Sequence, residues 1–444
     1  MAQRSRGQNG RLYLDHAATS PLLPEVATKM TEVIEQLSRG EFGNASSLHS
    51  PGQFANHTLN TARKHVARLI NAEPDEIIFT SGGSEANNTV TNIFAGRHLA
   101  VSAVEHPSLL ESARARAGGL TILPVNRYGQ VELAAIPNDA DLVSVMLANN
   151  ELGTIQPIAE IAKKLQKNRT ENPQNMKDSV ASSVNRESAM SPSTFLHSDA
   201  TQALGKIHLD VKALGVDYLT LSAHKIGGPV GVGALYVRRG TPFRPLIIGG
   251  HQENKRRAGT SNVLLAAGFG EAARLAWDDW SCQQYKKVAE LRNELVRRIL
   301  AEVPHSSANG FVECQYDEDA RNYNTLPNVA NLSFQAAEGE SIQLYLDLAG
   351  IAVSTGSACA AGDTRPSHVL MATSGDAEVA HSSIRFSLGP NTTRADLDQV
   401  IRVLPDIVRK LQGISTVKIV SEAESSRNRN NQCTKTAKQD RKEN

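Results

Sequence analysis

The stretch VDYLTLSAHKIGGPVGVGALYVRR, residues 216–239, decides the fold class, because it holds two apolar runs separated by a glycine-rich turn. Similar apolar runs with polar ends occur at IIFTSG (77–82), LVSVMLANN (142–150) and TFLHSDA (194–200). Amphipathic helical patterns, such as residues 158–165, lie between them. Apolar strands that alternate with helices are typical of an α/β fold with a mostly parallel sheet covered on both faces. Functional side chains are expected at the carboxyl ends of such strands.

The composition of the chain favours a globular protein in a reducing compartment. Of its 444 residues, 40% are hydrophobic and 21% are charged, so most of the chain can bury a core. Lys and Arg total 47 against 46 Asp and Glu, which argues against nucleic acid or an anionic membrane as a partner. No long apolar run and no secretory signal are found, and a cytoplasmic location is expected. The four cysteines form no CxxC pair, and no metal site is predicted.

Two domains are expected. The large one is predicted over residues 12–270, and a smaller α+β domain over residues 284–415, with the N-terminal segment as a candidate to pack with it. Residues 166–193 and 421–444 are polar and lack an apolar period. Such composition cannot bury enough apolar surface to fold, so a disordered insertion and a disordered tail are predicted there.

Several strand ends carry candidate catalytic side chains. Lys225 follows His224 at the end of an apolar run, where a desolvated lysine can act as a nucleophile and form a Schiff base; an ordinary surface lysine is the alternative. Asp199 ends the preceding strand, where it can face the nitrogen of a pyridine cofactor or cap a helix, two roles that do not exclude each other. The turn in FTSGGSEAN (79–87) offers backbone N–H groups to a phosphate. His106, at another strand end, is either structural or stacked on a cofactor ring.

Motifs shared with one known family run in order from residue 12 to about residue 390. Besides FTSGGSEAN, they are YLDHAATSPL (13–22), FGNASSLH (42–49), EHPS (105–108), MLANNELGTIQPI (146–158), HSDATQALGK (197–206), LSAHKIGGP (221–229), RRAGTSN (256–262), STGSACAAG (354–362) and SSIRFSLG (382–389). On these motifs the sequence resembles the cysteine desulfurases, the NifS/IscS-like branch of the class V aminotransferase family. It is also similar to the selenocysteine lyases. The resemblance implies the fold type I of pyridoxal-phosphate (PLP) enzymes and a homodimer with a shared active site.

The resemblance assigns a role to each candidate residue. Lys225 would form the Schiff base with the cofactor aldehyde, Asp199 would face the pyridine nitrogen, and Gln202 would face the phenolic oxygen. His106 would stack on the ring, with Asn150 beside it. The implied phosphate ligands are Gly83, Ser84, Ser222 and His224, with Thr260 from the neighbouring subunit.

The implied reaction converts L-cysteine to L-alanine. Arg385 would bind the substrate carboxylate through its planar fork of donors. Cys359 would accept the sulfur as a persulfide, with His106 as the candidate base; a small buried hydrophobe is the alternative reading of Cys359. The sulfur would serve iron–sulfur cluster or other thio-cofactor synthesis, with an iron–sulfur scaffold as one candidate acceptor. A selenocysteine lyase, a catalytically idle scaffold of the same fold and a transaminase-like enzyme, which leaves Cys359 without a role, are the competing functions.

Overall fold

The computed structural model describes residues 10–171, 194–277, 280–317, 322–355, 365–417 and 419. Within these ranges the strands are β1 (Leu12–Tyr13), β2 (Ile77–Thr80), β3 (His98–Ser102), β4 (Gly119–Leu123), β5 (Leu142–Ser144), β6 (Phe195–Asp199), β7 (Tyr218–Ser222), β8 (Gly233–Val237), β9 (Ser306–Asn309), β10 (Tyr316–Asp317), β11 (Asn322–Tyr323), β12 (Val329–Phe334), β13 (Ile351–Ala352) and β14 (Ser383–Ser387).

The α-helices of the same ranges surround these strands. They are α1 (Pro24–Ser38), α2 (Ser50–Leu69), α3 (Gly83–Ile93), α4 (Pro107–Arg116), α5 (Ile158–Glu171), α6 (Val211–Leu214), α7 (Gln252–Lys255), α8 (Val263–Trp277), α9 (Trp280–Glu302), α10 (Gly339–Leu348), α11 (His368–Ser374), α12 (Ala377–His381) and α13 (Arg394–Ile414). In the part of the chain that the structure describes, no helix is long and apolar enough to cross a membrane.

The central sheet has seven strands within the described residues, in the order β2-β8-β7-β6-β5-β3-β4. Strands β4, β3, β5, β6 and β7 run parallel, and β8 is antiparallel to both of its neighbours. Successive residues pack on opposite faces: Leu196 and Leu219 in one apolar cluster, Phe195 and Tyr218 in another. Burial on both faces requires the continuous apolar runs seen in the sequence. The predicted α/β fold with a mostly parallel sheet is therefore confirmed.

A separate apolar cluster, which we call the second cluster, forms away from the central sheet. It surrounds the antiparallel sheet β14-β12-β9 and the helices α9, α10 and α13. Strand β1 pairs in parallel with β13, so that Leu12 lies opposite Ile351, and Leu12 and Leu14 are both buried in this cluster. Asp15 then bridges to Ser387 at the end of β14. The N-terminal segment is thus fixed to the second sheet before it reaches the central one. The domain limits 12–270 and 284–415 stay predictions.

Helix α5 extends into the segment that was predicted to be a disordered insertion. The helix continues to Glu171, so the first six residues of the segment 166–193, which was predicted to be disordered, are helical. The run QKNRTE contains neither Gly nor Pro, so nothing in it interrupts the helical backbone. The rest of the predicted insertion and the predicted tail (421–444) lie outside the described residues.

Helices α2 and α8 approach each other closely at Gly270. An ideal Cβ on Gly270 would lie 2.4 Å from the Cα of Ala62 and 2.6 Å from its Cβ, closer than any real contact. Because the obstacle is partly backbone, a side chain at Gly270 would force the two helices apart.

Gly270→Ala is therefore expected to lower the free energy of unfolding by about 2 kcal/mol, measured by denaturant titration. The matched control is Gly413→Ala, in α13, where an added Cβ would meet nothing within 4 Å. Since alanine is the better helix former, the control should leave stability unchanged or raise it by up to about 1 kcal/mol. Equal effects of the two substitutions would refute the close approach.

Candidate active site

Lys225 lies just beyond the carboxyl end of β7, in a 3-10 turn over Ala223–Ile226. Gly227 ends this turn with a φ of 74°, a left-handed conformation that glycine adopts without strain. The Nζ of Lys225 donates hydrogen bonds to the carbonyl oxygens of Ala17 (2.7 Å) and Ala18 (2.6 Å). The turn therefore directs the amine toward the residues 13–20, which we call the N-terminal strap.

Asp199 ends the neighbouring strand β6 and is buried. Its register partner on β7 is Thr220, so the parallel pairing places the ends of the two strands side by side. One carboxylate oxygen accepts from the Nδ2 of Asn87 at 2.8 Å, and the other accepts from the backbone N–H of Thr201 at 2.9 Å. The second contact is an N-cap-like bond at the start of the turn after β6. Asp199 thus has the local role that the sequence allowed as an alternative, and its carboxylate is held by two donors.

Gly83 begins α3 beside this carboxylate and leaves a small cradle. An ideal Cβ on Gly83 would lie 3.1 Å from the Oγ1 of Thr201 and 3.9 Å from the Cβ of Ser222. The hydroxyl oxygen of Thr201 is buried and has no hydrogen-bond partner among the described residues. Backbone N–H groups at the first turn of a helix are also without internal partners. Ser84 lies in that turn, so hydroxyl and N–H donors surround the cradle.

His224 contacts the N-terminal strap from the Lys225 turn. Its Nδ1 lies 3.1 Å from the Oγ1 of Thr19. Burial, reinforced by the charges of Lys225 and Lys206, lowers the pKa of His224 to about 4. His224 is therefore neutral at neutral pH, with one ring nitrogen able to donate.

Gln202 lies under the N-terminal strap. Its Nε2 donates to the carbonyl oxygen of Ala17 at 2.9 Å, the same atom that accepts from Lys225. The buried Lys206 donates to the backbone oxygen of Gln202 at 2.9 Å. Burial, with the charges of Lys225 and Arg385, lowers the pKa of Lys206 to about 7. Lys206 was not singled out from the sequence, although it ends the motif HSDATQALGK.

His106 is the N-cap of α4, and its Nδ1 accepts from the backbone N–H of Ser108 at 3.1 Å. The Oγ of Ser108 lies 2.8 Å from the same nitrogen. Burial lowers the pKa of His106; the negative charge of Asp199 opposes this, and Lys225 adds to it. His106 therefore has a structural role as the N-cap of α4, and its role toward a cofactor stays a prediction.

Arg385 is almost completely buried on β14 and links three parts of the chain. One terminal nitrogen donates to the carbonyl oxygen of Asn150 at 3.0 Å, and the other forms an ion pair with Asp15 at 2.8 Å. Its Nε has no hydrogen-bond partner among the described residues. Asp15, in the motif YLDHAATSPL, was not assigned a role from the sequence, because nothing in its spacing points to a residue 370 positions away.

Two predicted residues, Thr260 and Cys359, have no described contact with this group. Thr260 is exposed at the end of its turn, so its expected contact with a neighbouring subunit stays a prediction. Cys359 lies outside the described residues.

Cys314 is a buried residue whose Sγ contacts the carbonyl oxygen of Thr325 at 3.3 Å. Burial raises the pKa of the Cys314 thiol to about 12, and Arg292 opposes the shift. From the sequence alone, the acidic stretch ECQYDEDA (313–320) around Cys314 predicts a raised pKa for its thiol. The direction is confirmed, but the cause is desolvation.

Two segments of the chain, residues 12–191 and 185–400, match the family described as aminotransferase class V. The chain therefore belongs to the class V aminotransferase family, as its motifs indicated.

Within that family the chain is similar to proteins named cysteine desulfurase. It is 41% identical to the cysteine desulfurase IscS of Dictyoglomus turgidum, over 92% of this chain and 97% of that protein. A solved NifS-like protein from Rickettsia africae matches 90% of this chain and 99% of its own, with 30% identity and a TM-score of 0.75. A solved structure of SspA in complex with cysteine matches 86% of this chain and 99% of its own, with 29% identity and a TM-score of 0.66. The resemblance and the fold predicted from the sequence are confirmed.

The Asp15–Arg385 pair gives a prediction for stability. Asp15→Ala should lower the free energy of unfolding by about 3 kcal/mol, since it leaves a buried guanidinium without its carboxylate. The matched control is Asp347→Ala, which removes the carboxylate from the exposed Arg11–Asp347 pair and should cost less than about 1 kcal/mol. Denaturant titration of both variants measures the difference; equal losses would contradict the importance of the buried pair.

Proposed function

We propose that the chain is a PLP-dependent cysteine desulfurase, which converts L-cysteine to L-alanine and passes the sulfur to Cys359. The observation that carries this proposal is the placement of Lys225 and Asp199 at adjacent strand ends, beside the cradle at Gly83, in a chain 41% identical to a cysteine desulfurase.

The residues present suit the cofactor. The amine of Lys225 suits an aldehyde, and the carboxylate of Asp199 suits a protonated pyridine nitrogen. The unpartnered hydroxyl of Thr201, which lies beside Gly83, and the backbone N–H groups of the first turn of α3 suit a phosphate at the start of that helix. Ser84, Ser222 and His224 are proposed to add donors to the phosphate, and Gln202 to face the phenolic oxygen. When bound, PLP supplies an electron sink for the bonds at the substrate Cα.

Side chains of the protein are proposed to remove the substrate proton and to orient the substrate. Lys225, once the substrate amine has taken its place, is proposed to remove the proton from Cα. The guanidinium of Arg385 is proposed to orient the substrate carboxylate, since its planar fork matches a carboxylate and its Nε has no partner among the described residues. Asn150 and Asp15 hold the two terminal nitrogens, so the guanidinium is fixed before substrate arrives. A preorganised donor costs little reorganisation during the reaction.

The sulfur step involves Cys359. Its thiolate attacks the sulfur of the substrate, the Cβ–S bond breaks, and its electron pair passes to the carbon skeleton, which is then protonated to L-alanine. The products are alanine and a Cys359 persulfide, so one sulfur atom moves and no external oxidant is needed. The homodimer, the contact of Thr260 with the neighbouring subunit, the cytoplasmic location and an iron–sulfur scaffold as acceptor are parts of this proposal.

The decisive measurement is the release of alanine and sulfide from L-cysteine by the purified protein, with and without a thiol reductant. We expect about one equivalent of alanine per site without reductant, and continuous release of both products with it. A parallel assay with L-selenocysteine separates the selenocysteine lyase: turnover of selenocysteine without turnover of cysteine would overturn the proposal. Absence of turnover with both substrates would favour the idle scaffold.

Lys225→Ala is expected to abolish the visible absorption band of bound PLP and all turnover, because the residue supplies both the covalent anchor and the base. Absorbance of the PLP-loaded protein and alanine release measure the two effects. The control is Lys212→Ala, at an exposed position in α6, which should leave both unchanged. A Lys225→Ala variant that kept band and activity would refute the assignment of this lysine.

Cys359→Ala is expected to keep the fold and the absorption band but to release almost no sulfur from cysteine. The control replaces the other three cysteines, Cys282, Cys314 and Cys433, by alanine. It should retain most of the rate, since Cys314 is buried with a raised pKa and the sequence offers no role for the other two. Mass spectrometry after one turnover should show one added sulfur atom on the control and none on Cys359→Ala. Wild-type sulfur release by Cys359→Ala would leave the persulfide mechanism without support.

A further inference from the structure

A chain of hydrogen bonds joins Asp199 to His106 through two residues to which no role was assigned. The Nδ2 of Asn87 lies 2.8 Å from the Oδ2 of Asp199 and 2.9 Å from the Oγ of Ser108. The Oγ of Ser108 lies 2.8 Å from the Nδ1 of His106. Asn87 is fully buried, so water does not compete for its side chain.

The donor and the acceptor of each hydrogen bond between Asp199 and His106 follow from the chemistry of the groups involved. An ionised carboxylate only accepts, so the amide group facing Asp199 must be the nitrogen. Both hydrogens of the Asn87 nitrogen are then used, one toward Asp199 and one toward Ser108. The Oγ of Ser108 accepts from Asn87, so its own single hydrogen is available to donate to the Nδ1 of His106.

A second donor reaches the same ring nitrogen independently. The backbone N–H of Ser108 can only donate, and it lies 3.1 Å from the Nδ1 of His106 because His106 is the N-cap of α4. Two donors directed at one nitrogen require it to carry a lone pair. The proton of the neutral imidazole must then be on Nε2.

We propose that Ser108, oriented by Asn87, is a positioning residue that holds His106 as the neutral tautomer protonated on Nε2, so that His106 meets the substrate as a hydrogen-bond donor. This deepens the proposed function and rests on it, because His106 acts on a substrate only if the site is the one described above. The proposed donor role of His106 also replaces the role of base toward Cys359 that the sequence indicated. The basic lone pair of the ring is on Nδ1, which faces Ser108 at the start of α4.

The charges around the ring fit a neutral His106. Asp199 on β6 favours the imidazolium, while Lys225 after β7 and His368 on α11 disfavour it, and burial lowers the pKa further. The adjacent Glu105 is itself buried, and burial raises its pKa to about 8, which weakens the negative charge beside the ring. Protonation of Nδ1 would also break the bond from the backbone N–H of Ser108, and the hydroxyl of Ser108 would have to turn from donor to acceptor.

The test compares Ser108→Ala with Ser108→Thr, which keeps the hydroxyl, and with Ser112→Ala. Ser112 lies one turn later on α4, is equally part of the contact with α3, and bonds to Thr91 and not to His106. Side-chain ¹⁵N NMR of histidine-labelled protein reports the tautomer and the pKa of each histidine, and His106→Gln identifies the signal of His106. The measurement is made on the protein with and without PLP.

In the wild type we expect His106 to show the spectrum of the Nε2–H tautomer. In Ser108→Ala its pKa should rise by about half a unit or more, because a bond that favoured the neutral ring is lost. The acid limb of the kcat profile for cysteine should move to higher pH by the same amount. Ser108→Thr should restore the wild-type pKa, and Ser112→Ala should not change it.

An Nδ1–H tautomer in the wild type would overturn the inference. So would an unchanged pKa of His106 in Ser108→Ala, or an equal rise in Ser112→Ala, which would point to general loosening of α4. The NMR results do not depend on turnover, so they separate this inference from the proposed function. If the wild-type protein did not turn over cysteine but His106 showed the Nε2–H tautomer, only the proposed cysteine desulfurase function would be contradicted.

Discussion

The carbonyl oxygen of Ala17 is the atom on which the arrangement of the site depends. It accepts hydrogen bonds from the Nζ of Lys225 and from the Nε2 of Gln202, which come from two different strand ends of the central sheet. The strap that carries Ala17 is itself braced by the hydroxyl of Tyr13, whose single hydrogen is shared between the backbone oxygens of Thr19 (2.8 Å) and Asp15 (3.1 Å). A backbone carbonyl has two lone pairs and cannot be moved without moving its chain, so it brings the ends of the two side chains together.

The strap also joins two sheets that share no strand. Strand β1 belongs to the second cluster through β13, and five residues later the chain crosses the ends of β6 and β7. Arg385 enters from β14 and reaches Asp15 on the same strap. The groups proposed to hold the cofactor therefore come from the central sheet, while the group proposed to hold the substrate carboxylate comes from the second sheet. On the strap, Asp15, which pairs with Arg385, and Ala17, which accepts from Lys225, are two residues apart.

The sequence predicted those parts of the molecule that depend on local pattern. Apolar runs with polar ends locate Asp199 and Lys225, because a parallel sheet collects its strand ends at one edge. Pairings between distant residues leave no local pattern, so Asp15 was missed as the partner of Arg385. Asn87 was quoted within a motif but looked like any polar helix residue. The pKa of Cys314 shows the same limit: its direction could be predicted, but its burial could not.

The position of the strap has a consequence for the order in which the protein is made. Asp15 leaves the ribosome 370 residues ahead of Arg385, and at about 5–20 residues per second this is a delay of about 20–70 s. Strand β1 likewise cannot pair until β13 has been synthesised. During this time Leu12 and Leu14 have no second cluster in which to be buried, although the strands of the central sheet are already available. The first part of the candidate site to be synthesised is thus among the last to be put in place, because its partners on β13 and β14 are synthesised long after it.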